Sequence, residues 1–384
     1  MGVGAAPGSA VGSVNMSEQS KIRVAVVFGG RSSEHAISCI TAGSVMAAID
    51  RDRYEVVPIG IARDGRWVLA GEHQRLAVAG GELPEVDGSG AALALPFDPG
   101  SRGLVALEPG SVPRTLGEVD VVLPLLHGPY GEDGTIQGML ELAGVRYVGA
   151  GVLASAVGQD KAFMKLVWQA HGLPVGPYVI VTDREWRLER RRKLDEIKQL
   201  GSPVFVKPAR AGSSMGITRV DAGGDLEAAV ESAREHDPKV IVEAAITGRE
   251  VECGVLQGLG DDPCQASLPA EIVMTGDHEF YDFQTKYLDG TSSLTIPPNL
   301  PPAAIEEVRA IAVRAFEALD CEGLARVDFF HTTDGRWILN EINTMPGFTP
   351  TSAFPQMWPA TGLDYPALVD RLIQLALSRN IGLR

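Results

Sequence analysis

Cysteine is scarce: Cys39, Cys253, Cys264 and Cys321 are the whole complement, and they are scattered without close pairing. That spacing argues against a disulfide framework or a structural zinc site and predicts reduced thiols in a core. Positive charge is in deficit, with 34 Lys and Arg against 49 Asp and Glu and a formal net charge of −15. Nucleic acid and anionic membranes are disfavoured as partners, because both require phosphates to be neutralised by lysine and arginine. Apolar runs long enough to cross a bilayer are missing, as are internal repeats. The strand-like VVFGGRSSEH lacks the GxGxxG of a dinucleotide site, and no acidic residue follows at a matching second strand end. No GxxxxGK[ST] P-loop occurs either.

What remains is a soluble globular composition, 45% hydrophobic and 22% charged. A chain of 384 residues exceeds one ordinary core, so a multidomain enzyme is expected. Residues 1–20 lack the basic start and apolar centre of a secretory signal and read as a disordered tail, which places the protein in the cytoplasm. The basic run Arg190 to Lys193 lies among Trp186, Leu194, Ile197 and Leu200 at helical spacing and reads as an exposed helix face.

Residues 22–28, IRVAVVF, predict a strand ending at Gly29 and Gly30, with Ser33 capping the helix that follows. VDVVLPLL leads into His127 and a loop, then the helix IQGMLELAG and the strand VRYVG. Residues 21–149 therefore read as an open parallel α/β domain whose strand-end loops carry Glu34 and His127. Between Gly65 and Val112 glycine and proline dominate, and no elements can be assigned. A central unit, 150–246, opens with Asp160, Lys161 and a helix, and holds the strands PVFVK and KVIVEAAI. Residues 247–384 hold a strand from Glu250 to Val255, a closing segment over 276–290, an amphipathic helix and a hairpin.

That hairpin, ARVDFFHTTDGRWILNEINTMPG, is expected to turn at Asp334 and Gly335 in a type I′ connection. Symmetric pairing about the turn sets Asp328 opposite Glu341 and Arg326 opposite Asn343, all on one face. Two carboxylates and an amide are hard oxygen ligands suited to Mg²⁺ or Mn²⁺. A solvated hairpin face is the plainer alternative. In VFVKPARAGSSMG, Lys207 ends an apolar strand, and the loop holding Ser213 and Ser214 would let backbone N–H groups approach a phosphate. An ordinary turn between strands is again the plainer alternative.

A lysine-first loop in the centre, an Asp…Glu-x-Asn cluster near the C-terminus and an α/β domain in front together resemble the ATP-grasp family. Within it the chain resembles the D-alanine:D-alanine ligases, through GGRSSEHAIS, LHGPYGEDGTIQGMLE, QDKAFMK, VKPARAGSSMG, FYDFQTKY, ARVDFF and NEINTMPGFTPTS in that order. The resemblance implies an α/β ATP-grasp fold, with nucleotide between the second and third units. It implies that Lys161, Lys207, Ser214 and Lys286 contact ATP phosphates, that Glu243 with the backbone near Ala245 and Ile246 holds adenine, and that Glu250 binds ribose. Asp328, Glu341 and Asn343 match the ligands of two Mg²⁺ or Mn²⁺; the need for a monovalent cation such as K⁺ stays open. Glu34 and His127 would bind the first D-alanine, and Lys286 with Ser352 the carboxylate of the second. Arg326 and the N–H of Gly347 would stabilise the oxyanion, and Tyr287 would bond to Ser213, itself linked to Glu34. A homodimer is implied as well. The residue before Gly212 is Ala211, and Met345 stands where a smaller side chain is common; neither departure touches an implied ligand. Alternatives are a ligase for another amino acid or hydroxy acid pair, D-alanyl-D-lactate for instance, and a nucleotide-binding regulator without catalysis.

Overall fold

Three sheets follow one another along the chain in the computed structural model, which describes residues 21–71, 74–78, 80–94, 103–107, 112–274 and 292–380. In the first, Ile22–Gly29 lies between Tyr54–Ile61 and Val121–Pro124, all parallel, with Arg146–Tyr147 beyond. The β-branched run Val24 to Val27 is buried on both faces, as parallel strands covered by helices require. The stretch rich in glycine and proline, unreadable from sequence, adds Trp67–Leu69, Ala92–Ala94, Gly103–Leu107 and Arg114–Glu118 as an antiparallel extension of this sheet. Strands of three to five residues are too short for a periodicity to emerge.

The second sheet is antiparallel, in the order Thr218–Val220, Val204–Pro208, Val240–Ala244, Tyr178–Val181. Trp186 and Ile197 of the helix Asp183–Lys198 pack on it. Of the basic run, Arg191 and Arg192 are exposed as expected and Arg190 is half-buried, pairing with Glu227 and Glu231, but Lys193 is buried, its ammonium held by Glu185 and Glu196. The third sheet runs Ser292–Thr295, Ala270–Met274, Gly248–Leu256, Leu324–Thr332, Trp337–Asn343, also antiparallel. The helix Pro302–Ala318 covers one face through Val308, Ile311, Ala312, Ala315 and Phe316.

The hairpin corrects one expectation while preserving its consequence. Asp334 does not adopt positive φ; only Gly335 does, at 81°. The connection is a three-residue loop closed by Thr332 N–H to Arg336 O at 2.9 Å, with a left-handed glycine at its end. Pairing near the loop is therefore His331 with Trp337 and Phe329 with Leu339, one residue off the expected symmetry. A bulge at Asn340 restores it, so that Asp328 faces Glu341 and Arg326 faces Asn343. A second correction concerns Ser33. The first helix is His35–Ala48, its N-cap is Glu34, and no side chain caps it. All four cysteines are free.

Candidate active site

The edges of the three sheets close around a cavity of about 500 Å³. Glu34 stands at the end of the first strand-turn-helix, and its carboxylate is released from capping to accept a hydrogen bond from Ser213 Oγ in the second unit. Ser213 and Ser214 both hold positive φ, 49° and 58°. For residues other than glycine this costs on the order of 1–3 kcal/mol each, a strain that concentrates at functional loops. The serines and Gly216, φ 70°, turn the backbone tightly beside Lys207.

His127 lies behind Glu34. Its Nδ1 is 3.0 Å from Met345 O, while Nε2 is buried with no partner among the described residues. Burial lowers its pKa against the opposing pull of Glu34, so the ring is neutral. The neighbouring Glu132, which sequence reasoning missed, accepts from Gly128 N at 2.7 Å and Met345 N at 3.0 Å. Burial, together with the charge of Glu34, pushes its carboxyl up to about 8 from the usual 4.5, so it is largely protonated at neutral pH. Between those two values the folded state holds the proton more tightly than the unfolded chain. Stability from this group is complete below the lower value and is lost as pH rises through the upper one. We expect a melting temperature that falls between about pH 5 and pH 9 in the wild type and falls less steeply in Glu132→Gln. Parallel slopes in the two proteins would refute the assignment.

Elsewhere in the wall the helix Lys161–Ala170 begins at Asp160, whose side chain accepts from Ala162 N and Phe163 N. One turn separates Lys161 from Lys165, so both point the same way. Lys161 Nζ lies 3.0 Å from Glu341 and 3.0 Å from Ala211 O. Lys165 lies 2.9 Å from Glu243 and donates to the bulged carbonyl of Asn340 at 2.9 Å. Lys207 reaches the second oxygen of Glu243 at 2.5 Å. Burial would raise the Glu243 pKa, but the charges of Lys165 and Lys207 outweigh it and hold the carboxyl at about 2. Burial also opposes the charge of Lys207, yet Glu243, Glu341 and Glu250 keep it above its ordinary value.

The hairpin face completes the cavity. Arg326 makes a two-pronged pair with Asp328, Nε and Nη2 each at 2.7 Å, and Asn343 Nδ2 donates to Asp328 at 3.1 Å. Asp328, Glu341 and Asn343 thus supply oxygens from two adjacent strands, a donor set that fits Mg²⁺ or Mn²⁺ and not zinc. Among the described residues no group of three His, Cys, Asp or Glu side chains is already drawn together as a metal cage. Instead Arg326 and Lys161 hold the two carboxylates.

Most of the residues expected from the sequence meet in this cavity: Glu34, His127, Lys161, Lys207, Ser213, Ser214, Glu243, Ile246, Glu250, Arg326, Asp328, Glu341, Asn343 and Gly347 line it. Ala245 does not, and its N–H donates to Pro203 O at 3.0 Å; the adjacent Ala244 lines the wall. Ser352 stands outside the wall with its hydroxyl against Thr349. Lys286, Tyr287 and the closing segment lie outside the described residues. Lys165, Glu132 and Glu252 line the cavity and were missed. The i, i+4 spacing after Lys161 and the alternation Glu250, Glu252 were the available signals.

Two antiparallel sheets gripping a lysine-lined cleft define the ATP-grasp class of nucleotide-dependent ligase. The family model for the D-ala D-ala ligase N-terminus matches residues 23–150, and that for the D-ala D-ala ligase C-terminus matches residues 167–374. The D-alanine--D-alanine ligase of Paenarthrobacter aurescens is 58% identical over 365 residues, covering 94% of this chain and 97% of its own. That of Streptomyces griseus subsp. griseus is 58% identical over 373 residues, 95% of each. Among solved structures, the VanG D-Ala:D-Ser ligase from Enterococcus faecalis superposes with a TM-score of 0.79 at 35% identity, covering 93% of this chain and all of that one. The D-alanine-D-alanine ligase from Coxiella burnetii gives 0.78 at 33%, covering 94% and 95%. The chain belongs to the D-alanine–D-alanine ligase family and is a ligase enzyme.

Proposed function

We propose that this chain joins two D-alanine molecules with ATP to give D-alanyl-D-alanine, ADP and phosphate for peptidoglycan synthesis. The observation that carries the reading is the meeting, in one cavity, of Lys161 and Lys207 beside the Asp328–Glu341–Asn343 face with Glu34 and His127. Glu34 binds the ammonium of the first D-alanine, and His127 lies near its carboxylate. That carboxylate attacks the γ-phosphorus of ATP, ADP departs, and an acyl phosphate forms. Reaction rests on alignment and charge neutralisation, which Lys161, Lys207 and the loop at Ser214 supply to the phosphates. Glu250 takes the ribose, and Glu243 with the backbone near Ala245 and Ile246 takes adenine. Asp328, Glu341 and Asn343 would hold two Mg²⁺ or Mn²⁺, which offset the triphosphate charge when bound. A requirement for K⁺ is open to the same assay. The amine of the second D-alanine, its carboxylate held by Lys286 and Ser352, then attacks the activated carbonyl. Arg326 and the N–H of Gly347 stabilise the resulting oxyanion before phosphate leaves.

We infer the same division as from the sequence, with units at 21–149, 150–246 and 247–384, and a homodimer working in the cytoplasm. No helix among the described residues is long and apolar enough to cross a membrane. Incubation with ATP, Mg²⁺ and D-alanine should release phosphate and dipeptide, and L-alanine should replace D-alanine poorly. Phosphate release that does not depend on D-alanine would overturn the proposal. The hydroxyl of Tyr287 is the reason to favour dipeptide over ester. Tyr287→Phe is expected to raise D-alanyl-D-lactate relative to dipeptide when D-alanine and D-lactate compete, and an unchanged ratio would refute that role.

A further inference from the structure

Glu252 is buried at 3% exposure in the wall of the cavity. It is the cross-strand neighbour of Asp328, which in turn faces Glu341, so three carboxylates stand in one row across Gly248–Leu256, Leu324–Thr332 and Trp337–Asn343. Two residues along the same face is Arg326, whose own cross-strand neighbour is Gly254. With no side chain opposite it on that strand, the guanidinium lies diagonally between two acids. Both prongs are on Asp328 at 2.7 Å, and Nε is also 3.3 Å from Glu252 Oε1.

This arrangement contains a conflict. Asp328 has both oxygens engaged by Arg326, and Asn343 donates to one of them. A divalent cation taking the Asp328 oxygens meets a guanidinium on the same carboxylate, and like charges at that separation repel. Arg326 must move off Asp328, yet a buried cation without a counter-charge is costly. Glu252 resolves the conflict, because it is already buried, already within reach of Nε and set on the side of Asp328 away from Glu341.

We propose that Glu252 is the positioning residue for Arg326, taking over its guanidinium when divalent metal claims Asp328 and so fixing it for the reacting carbonyl. The inference rests on the metal and oxyanion roles given under the proposed function. Glu252 touches neither substrate nor metal; it acts through Arg326. Without it, Arg326 stays on Asp328 and competes with the metal.

The test measures Mn²⁺ binding by electron paramagnetic resonance to the full-length protein loaded with a non-hydrolysable ATP analogue. Glu252→Gln should weaken Mn²⁺ binding about tenfold, the scale of one lost charge-assisted contact. Its kcat should fall while the KM for the first D-alanine holds. In an Arg326→Met background, where nothing competes for Asp328, Glu252→Gln should leave Mn²⁺ affinity unchanged. A through-space loss of negative charge would weaken binding in both backgrounds, and a purely structural role would lower the melting temperature without moving metal affinity. Either of those results, or equal Mn²⁺ affinity in wild type and Glu252→Gln, overturns the proposal. Glu252→Asp, which keeps the charge, should restore part of the affinity. Should the wild type with nucleotide bind no Mn²⁺ at this site, it is the metal assignment of Asp328, Glu341 and Asn343 that fails.

Discussion

Arg326→Met is expected to lower kcat by about 10²–10³, the usual cost of deleting a fixed donor to a developing oxyanion. Nucleotide and Mn²⁺ affinity should be retained, because Asp328 is then relieved of a guanidinium that grips both of its oxygens. The combination is diagnostic. A residue that merely balanced charge in the cleft would, when removed, strengthen metal binding without a specific fall in turnover. Steady-state kinetics with titration of a non-hydrolysable analogue separates the outcomes, and unchanged kcat would exclude the oxyanion role.

Lys207→Met should act on two properties at once. The lysine shares Glu243 with Lys165 in a buried trio, at 2.5 and 2.9 Å. Breaking a buried pair typically costs about 3–5 kcal/mol, and because Glu243 keeps Lys165 the loss should sit near about 3 kcal/mol. The same change removes a positive charge from the place proposed for the triphosphate, so the KM for ATP should rise by at least about tenfold. Adding Glu243→Gln should lower stability further, because the buried ammonium of Lys165 then loses its carboxylate. Chemical denaturation and ATP titration on the single and double variants test both parts. An unchanged KM for ATP in Lys207→Met alongside the loss of stability would show that Lys207 serves the fold alone.

Sequence and structure agree where a pattern is long or where a polar residue ends an apolar strand. The parallel strand Ile22–Gly29, the helix Pro302–Ala318 and Lys207 at the end of Val204–Pro208 are of this kind. The antiparallel extension of the first sheet was not legible, because strands of three to five residues between glycines carry no measurable period. Ser33 was misplaced as a helix cap because the rule for capping considers only the local backbone; the residue at the cap, Glu34, spends its carboxylate on a serine 179 positions away. Lys165 and Glu252 escaped for the opposite reason. Each looks like an ordinary polar position in its own helix or strand, and only tertiary pairing, with Glu243 and with Arg326, reveals a buried charge.

The hairpin register was read correctly from a turn that does not exist. The actual loop is one residue longer, and the extra residue is absorbed at Asn340, whose displaced carbonyl receives Lys165. Trimming the solvent-facing tip to two residues would keep the acids aligned only by ironing that kink flat, and the ammonium deep in the nucleotide cleft would lose that carbonyl and keep only its carboxylate. Loop length at the rim and charge placement in the interior are therefore one inherited variable, and a graft that alters either must supply the other.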